Sequence, residues 1–115
     1  MATVSFLTIL LSTPGIALPI AGPDEPQALP ELPRLTLDSF SPDVRTGIEK
    51  AYDAARASPQ DPSANGKLGM AIEPHGLMEE AEVCYRRAHQ LDPGSFRWAY
   101  FLGLVLAAEG KFDEA

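Results

Sequence analysis

The sequence is poor in the residues that most often carry chemistry. Its 115 residues include one cysteine and two histidines. A single thiol excludes a disulfide within the chain and any metal site built from several thiolates. Neither His75 nor His89 has a cysteine or a second histidine at ligand spacing, so neither predicts a metal site. We therefore expect no bound metal and no other cofactor.

Basic residues are also few. There are 9 lysines and arginines against 16 aspartates and glutamates, which gives a formal net charge of -7. Binding to a phosphate backbone needs clustered basic side chains, so this balance argues against nucleic acid as a partner. The acidic excess mainly favours solubility and only weakly favours a basic partner.

The sequence shows no pattern of catalytic residues. No glycine-rich phosphate loop follows a strand, and no strand is predicted. Cys84 stands beside Tyr85, off the expected core face, and has no oriented base, so we interpret it as a partly buried thiol rather than a nucleophile. We interpret Glu79, Glu80 and Glu82 as a solvated helix face rather than an acid pair. The sequence therefore predicts no enzymatic activity.

Charge is absent from the start of the chain, where Asp24 is the first charged residue. Residues 1–21 combine an apolar run with small residues and resemble the apolar and cleavage regions of a secretory signal, without its usual basic start. A membrane-spanning helix is less favoured, because Pro14 and Pro19 interrupt the run. A disordered apolar leader and a wrongly assigned start are the alternatives. If the segment is a secretory signal, we expect a periplasmic or secreted protein, and otherwise a cytoplasmic one. Membrane contact is expected only if the apolar segment is retained.

Residues 22–41 predict a proline-rich linker. Prolines at 23, 26, 30 and 33 are incompatible with a helix and favour an extended, semi-rigid chain. A proline-motif ligand is the less favoured alternative. Four apolar side chains in this stretch could pack on the first helix, namely Leu32, Leu35, Leu37 and Phe40.

From residue 42 onward the pattern predicts helices only. Ser41-Pro42 and Asp61-Pro62 are typical of a capping residue followed by a first-turn proline. The expected helices span about 42–57, 62–73, 77–91 and 96–109, with Ser95 as the cap of the fourth. Pro74 predicts that the second helix ends a residue or two early, and a further helix is expected to begin at Lys111.

An internal repeat organises this helical part. Shifted by 34 residues, residues 62–95 match the chain again: Leu68-Gly69 aligns with Leu102-Gly103, Gly76 with Gly110, Glu80-Ala81 with Glu114-Ala115, and Pro59 with Pro93. A fixed period in this range indicates stacked repeats rather than one closed core.

The repeat resembles the tetratricopeptide family, whose unit is two antiparallel helices. The matching positions are Leu68-Gly69, Ile72, Gly76, Ala81, Tyr85, Ala88 and Pro93, followed by Leu102-Gly103, Leu106, Gly110 and Ala115. Asn65 departs from the pattern, which has a large residue there. The resemblance implies an all-α fold of antiparallel helix-turn-helix repeats stacked as an α-solenoid over 42–115, with a degenerate leading helix and an incomplete last unit.

An incomplete last unit predicts exposed apolar surface. The fourth helix is apolar nearly all the way round, which favours burial on more than one side. We expect the chain to be the front part of a longer protein, with Trp98, Tyr100, Leu104 and Val105 exposed to some degree. Self-association through this helix is the other way to cover them.

The resemblance also implies a function, because tetratricopeptide stacks bind partners on a concave surface lined mainly by first helices. The expected role is a non-catalytic scaffold that binds a protein or an extended or helical peptide. The alternative is an accessory docking part of a longer enzyme or electron-transfer protein. By position, the candidate partner-binding residues are Lys67, Met70, Glu73, Arg97, Tyr100, Phe101 and Leu104. A structural role in stacking the next repeat is an equal alternative for them.

Overall fold

A computed structural model describes residues 28–111 and 113–114 of the chain. Within these residues the only regular secondary structure is helical, without a strand, which confirms the predicted all-α class. The helices are α1, Pro42–Ala57; α2, Pro62–Ile72; α3, Met78–Leu91; and α4, Phe96–Ala108. A short 3-10 turn, Glu73–His75, follows α2 at the predicted proline. Each helix packs against the next one along the chain.

The helix boundaries follow from local chemistry. The Asp61 carboxylate accepts the N–H of Ser63 at 2.9 Å and caps α2, as predicted. The hydroxyl of Ser41 accepts a longer hydrogen bond at the start of α1. Ser95 occupies the cap position of α4 but its side chain makes no capping hydrogen bond, so that part of the prediction is wrong. Gly76 has a φ of 83°, a left-handed conformation that glycine adopts at the least cost.

The turns after α1 and α3 are built alike. The N–H of Ser58 donates to the carbonyl of Ala54 at 3.0 Å, and the N–H of Asp92 donates to that of Ala88 at the same distance. These pairs stand 34 residues apart, as do the first residues of α2 and α4. Gly110, the repeat equivalent of Gly76, also has a positive φ, of 80°. The sequence period therefore recurs in backbone geometry.

Helices α2 and α3 form the best-packed pair. A Cβ at Gly69 would lie 2.7 Å from the ring of Tyr85, so the ring occupies the space that the glycine leaves. One turn earlier on α2, Asn65 contacts Arg87 of α3. As the residue number increases along α2, the number of the partner residue on α3 decreases, so the two helices are antiparallel. Gly69 therefore allows α2 and α3 to approach closely.

Helix α4 packs on α2 through a second glycine. A Cβ at Gly66 would lie 2.2 Å from the ring of Trp98, which is only 4% exposed. Val105 is fully buried as well. The expectation that Trp98 and Val105 are exposed is therefore wrong. The sequence pattern does not show that Gly66, which has no side chain, leaves room on α2 for the indole ring.

The segment before α1 is part of the packed structure. We call residues 28–41 the strap. It has no regular secondary structure up to a turn in which the N–H of Phe40 donates to the carbonyl of Leu37 at 3.1 Å. The four apolar side chains that were predicted to pack on the first helix are partly buried against the core, namely Leu32, Leu35, Leu37 and Phe40.

Two expectations concern the chain ends. The leader of residues 1–21 lies outside the described residues, as do residues 22–27 of the proline-rich linker. Beyond α4, Glu114 donates its N–H to the carbonyl of Lys111 at 3.1 Å, in a turn. Lys111, Asp113 and Glu114 are not helical, so the described residues do not show the helix expected from Lys111. None of the helices described here has the length and apolarity needed to cross a bilayer.

Candidate partner-binding surface

Three large apolar side chains lie exposed on α4. Phe96 is 79% exposed, Tyr100 is 52% exposed and Leu104 is 45% exposed. Residues four apart on a helix lie on one face, so the three form a continuous ridge. Phe96 and Tyr100 stack, with ring centroids 5.8 Å apart. We call these three residues the α4 ridge.

The opposite side of α4 is buried. Trp98, Leu102, Val105 and Leu106 all belong to the hydrophobic core. The helix is therefore apolar nearly all the way round, as the sequence predicts, but it is covered on one side only. The expectation that it is buried on more than one side is wrong for the described part of the chain.

Phe101 joins the α4 ridge to the core. Its ring stacks on Tyr85 at 5.4 Å between centroids and meets the edge of Tyr100 at 6.0 Å. It also lies 6.3 Å from the ring of Trp98. Aromatic pairs at these separations stabilise by about 0.5–1.5 kcal/mol beyond the area that they bury. Tyr100 is thus held at one side by a fixed aromatic cluster, although half of it faces solvent.

Polar contacts hold the edge of this surface. The hydroxyl of the buried Tyr85 donates to the Glu73 carboxylate at 2.8 Å. Burial raises the pKa of Tyr85, and the hydrogen bond and charge of Glu73 raise it further, so the phenol remains a donor. Arg97 lies over the Trp98 ring at 4.7 Å and its Nη2 approaches the Met70 sulfur at 3.5 Å. The guanidinium is therefore positioned by cation–π attraction.

The structure brings most of the predicted site residues together. Met70 meets Arg97, Glu73 is linked to Phe101 through Tyr85, and Leu104 follows Tyr100 by one turn. Lys67 lies at the margin, one turn before Met70, where it lines a shallow cavity with residues of α1. The most exposed member of the surface, Phe96, was missed. Phe96 could have been identified from the sequence, because it stands four residues before Tyr100 and eight before Leu104, on the same helix face.

Other chemically active groups in the described chain are engaged in structure. Cys84 is fully buried, which corrects the prediction of a partly buried thiol off the core face. Burial raises the pKa of its thiol to about 12, so it is not a nucleophile at neutral pH. Glu82 accepts hydrogen bonds from Arg86 at 2.7 Å and Lys111 at 2.8 Å. Glu82 was predicted as part of a solvated face, but its side chain is 13% exposed.

The described residues contain no group of three or more histidine, cysteine, aspartate and glutamate side chains arranged to hold a metal ion. What the surface offers is a rigid apolar ridge beside positioned polar groups, an arrangement suited to binding. Comparison with known proteins finds no matching family model, no matching curated protein and no matching solved structure.

Proposed function

We propose that this chain is a non-catalytic module that binds a protein or peptide partner, built from tetratricopeptide-like repeats in a solenoid arrangement. The α4 ridge is the observation that carries the proposal. Soluble proteins seldom expose contiguous large apolar side chains, and such patches usually mark an interaction site. Phe96, Tyr100 and Leu104 expose such a patch along about two turns of one helix.

The repeat assignment is supported by recurrence at 34 residues. Leu68 and Leu102 are both buried, and Gly76 and Gly110 both adopt positive φ. The turns that end α1 and α3 share the same hydrogen bond. A pattern that recurs in sequence, in burial and in backbone geometry is what stacking of similar units predicts.

The proposed partner is a peptide with an apolar face, in an extended or helical conformation. The ridge offers contacts at intervals of one helical turn, which suit an amphipathic helix laid beside α4. Arg97 stands next to Phe96 in the chain, and Glu73 is linked to Phe101 through Tyr85. They supply one charge of each sign, which would orient the peptide. Rigid aromatic side chains lose little conformational freedom on binding, and aromatic residues are common among the side chains that dominate binding energy.

Selection from a random-peptide display library tests this proposal. The bait is the wild-type chain, and the counter-bait is the double variant Tyr100→Ser with Leu104→Ser. Both side chains are about half exposed, so we expect the variant to keep its fold. Selected peptides should bind wild type at least about tenfold more tightly than the variant, because anchor residues contribute about 1–4 kcal/mol each.

Arg56→Ser is the control, since Arg56 is exposed on α1, away from the ridge, and it should bind the peptides as wild type does. Failure to enrich any peptide, or equal binding to wild type and double variant, would count against the proposal. Sedimentation of the wild-type chain at rising concentration distinguishes self-association. If the wild-type chain forms a dimer and the double variant stays monomeric, the ridge binds a second copy of the chain instead.

A further inference from the structure

Two arginines of the helices hold the strap in place by donating hydrogen bonds to its backbone carbonyls. Arg87 of α3 is only 5% exposed, and its Nη1 donates to the carbonyl of Pro30. Near the other end, Nη2 of Arg45 donates to the carbonyl of Phe40 at 3.1 Å. Backbone carbonyls are present in every peptide, so these two contacts do not require the side chains of this particular segment.

The Arg87 guanidinium is positioned without the strap. Its Nε donates to Oδ1 of Asn65 at 2.6 Å, and its Nη2 donates to the carbonyl of Pro59 at 2.9 Å. The Asn65 amide is itself fixed, because it donates to the carbonyls of Pro59 and Asp61 at 3.1 and 2.8 Å. No carboxylate of the described residues forms an ion pair with Arg87. The helices thus hold the Arg87 guanidinium in a fixed orientation, with its Nη1 directed at the strap.

Between the two arginines the strap contributes leucines to an apolar groove. Leu35 and Leu37 are partly buried, whereas Thr36 between them is exposed, which is the alternation of an extended chain. A cavity remains beside these leucines, where Tyr52 of α1 forms part of its wall. The strap therefore does not fill the space between itself and α1.

This groove is separate from the α4 ridge. Tyr85, which connects to the ridge, and Arg87, which holds the strap, stand two residues apart on α3. The ring of Tyr85 packs at Gly69, whereas Arg87 contacts Asn65 one turn earlier on α2, so the two side chains lie at different points along the α2–α3 pair. A ligand held by Arg87 would leave the surface next to Tyr85 free.

We propose that the groove beside α1 and α3 is a second peptide-binding site, specific for an extended segment that carries leucines. The strap occupies it in cis, and a peptide of the same chemistry binds there in trans when the strap is released. The proposal goes beyond binding at the α4 ridge. Covalent attachment gives the strap an effective concentration on the order of millimolar, so a free peptide competes poorly until the strap is weakened.

The test uses the full chain with Leu35→Ser and Leu37→Ser, which weaken the strap and leave α1 and α3 unchanged. The probe is a fluorescent synthetic peptide with the sequence of residues 28–41, followed by anisotropy. We expect the variant to bind the peptide at least about tenfold more tightly than wild type, by relief of competition. A peptide with serine in place of its leucines should not bind. The matched control, Glu31→Ser with Thr36→Ser, changes exposed strap residues and should behave as wild type.

Cys84 provides a second measurement. It is the only cysteine, it is fully buried, and it lies three residues before Arg87, on the same side of α3. Its reaction with a thiol reagent should be faster by about tenfold or more in the leucine variant and should slow again when the peptide is added. Loss of helical circular dichroism in the variant would overturn the proposal, because the strap would then be an inseparable part of the core. A folded variant that binds no peptide, or binds the serine peptide equally, would overturn it as well.

Discussion

Substitution of Gly66 by alanine tests whether Trp98 fixes α4 to α2. An added Cβ would lie 2.2, 2.3 and 2.5 Å from three atoms of the Trp98 ring, far inside van der Waals contact. Overpacking of this kind typically costs about 1–3 kcal/mol. Alanine in place of glycine favours the helix by up to about 1 kcal/mol. We therefore expect Gly66→Ala to lower the free energy of unfolding by about 1–2 kcal/mol.

The structure also indicates how the clash is relieved. Expelling the indole would lose about 150–250 Å² of buried area, worth about 4–6 kcal/mol at 25 cal/mol per Å². A small displacement of α4 from α2 costs less, so Trp98 should stay mostly buried. Because Trp98 is the only tryptophan, its emission should show a modest red shift rather than that of an exposed indole.

Urea unfolding followed by circular dichroism measures the effect, with Gly47→Ala as the matched control. Gly47 is exposed in α1 and a Cβ there meets nothing within 4 Å, so alanine should stabilise by about 0.5–1 kcal/mol. In a Trp98→Leu background, Gly66→Ala should lose most of its penalty. Equal stability of Gly66→Ala and Gly47→Ala, with unchanged tryptophan emission, would refute the packing of α4 on α2 described here.

Three further predictions follow from the polar contacts. Asn65→Leu restores the large residue of the tetratricopeptide pattern, yet it should destabilise by about 2–4 kcal/mol in urea unfolding, because it removes an acceptor from the buried Arg87. Asp61→Ala should cost about 1 kcal/mol, whereas Ser95→Ala, which removes no capping hydrogen bond, should change stability by less than about 0.5 kcal/mol. Burial raises the pKa of Glu82, but its hydrogen bonds to basic neighbours outweigh that effect and lower it from 4.5 to about 2. Its stabilising contribution is present above pH 4.5 and is lost as pH falls towards 2, so Glu82→Gln should flatten that part of a stability–pH curve.

Helix positions could be predicted from the sequence because their signals are local. A capping aspartate before Pro62, a proline at 74 and a glycine at 76 act within one or two turns, and the structure has α2 and its 3-10 turn where they indicate. Five of the positions in α2 and α3 that match the repeat pattern are also fully buried, namely Leu68, Ile72, Ala81, Tyr85 and Ala88. Such signals can be interpreted without knowledge of the tertiary packing of the helices.

Several of the incorrect predictions depend on contacts that are distant in sequence. Trp98 is buried because Gly66, more than thirty residues earlier, leaves room for its ring. Cys84 is buried on the side of α3 where the strap lies, and the helical pattern alone does not show that a non-helical segment packs there. Asn65 stands where the tetratricopeptide pattern, which the repeat resembles, has a large residue, and here it orients Arg87, whose other acceptors come from the α1–α2 turn and the strap.

The α4 ridge was only partly predictable for a related reason. Tyr100 and Leu104 were identified through the position of first helices in the repeat, whereas Phe96 is recognised by its exposure. In a helix that is apolar nearly all the way round, the sequence does not distinguish the covered side from the open one. Only the packing of Trp98 and Leu106 into the core decides which side faces solvent.

The most direct test of the proposed binding surface is hydrogen–deuterium exchange of the full chain with and without a peptide from the display selection. The account predicts that the bound peptide slows exchange in α4, residues 96–108, and at the adjoining end of α2, while the strap, residues 28–41, exchanges as before. Protection confined to the strap and α1, with α4 unchanged, would contradict the assignment of partner binding to the α4 ridge.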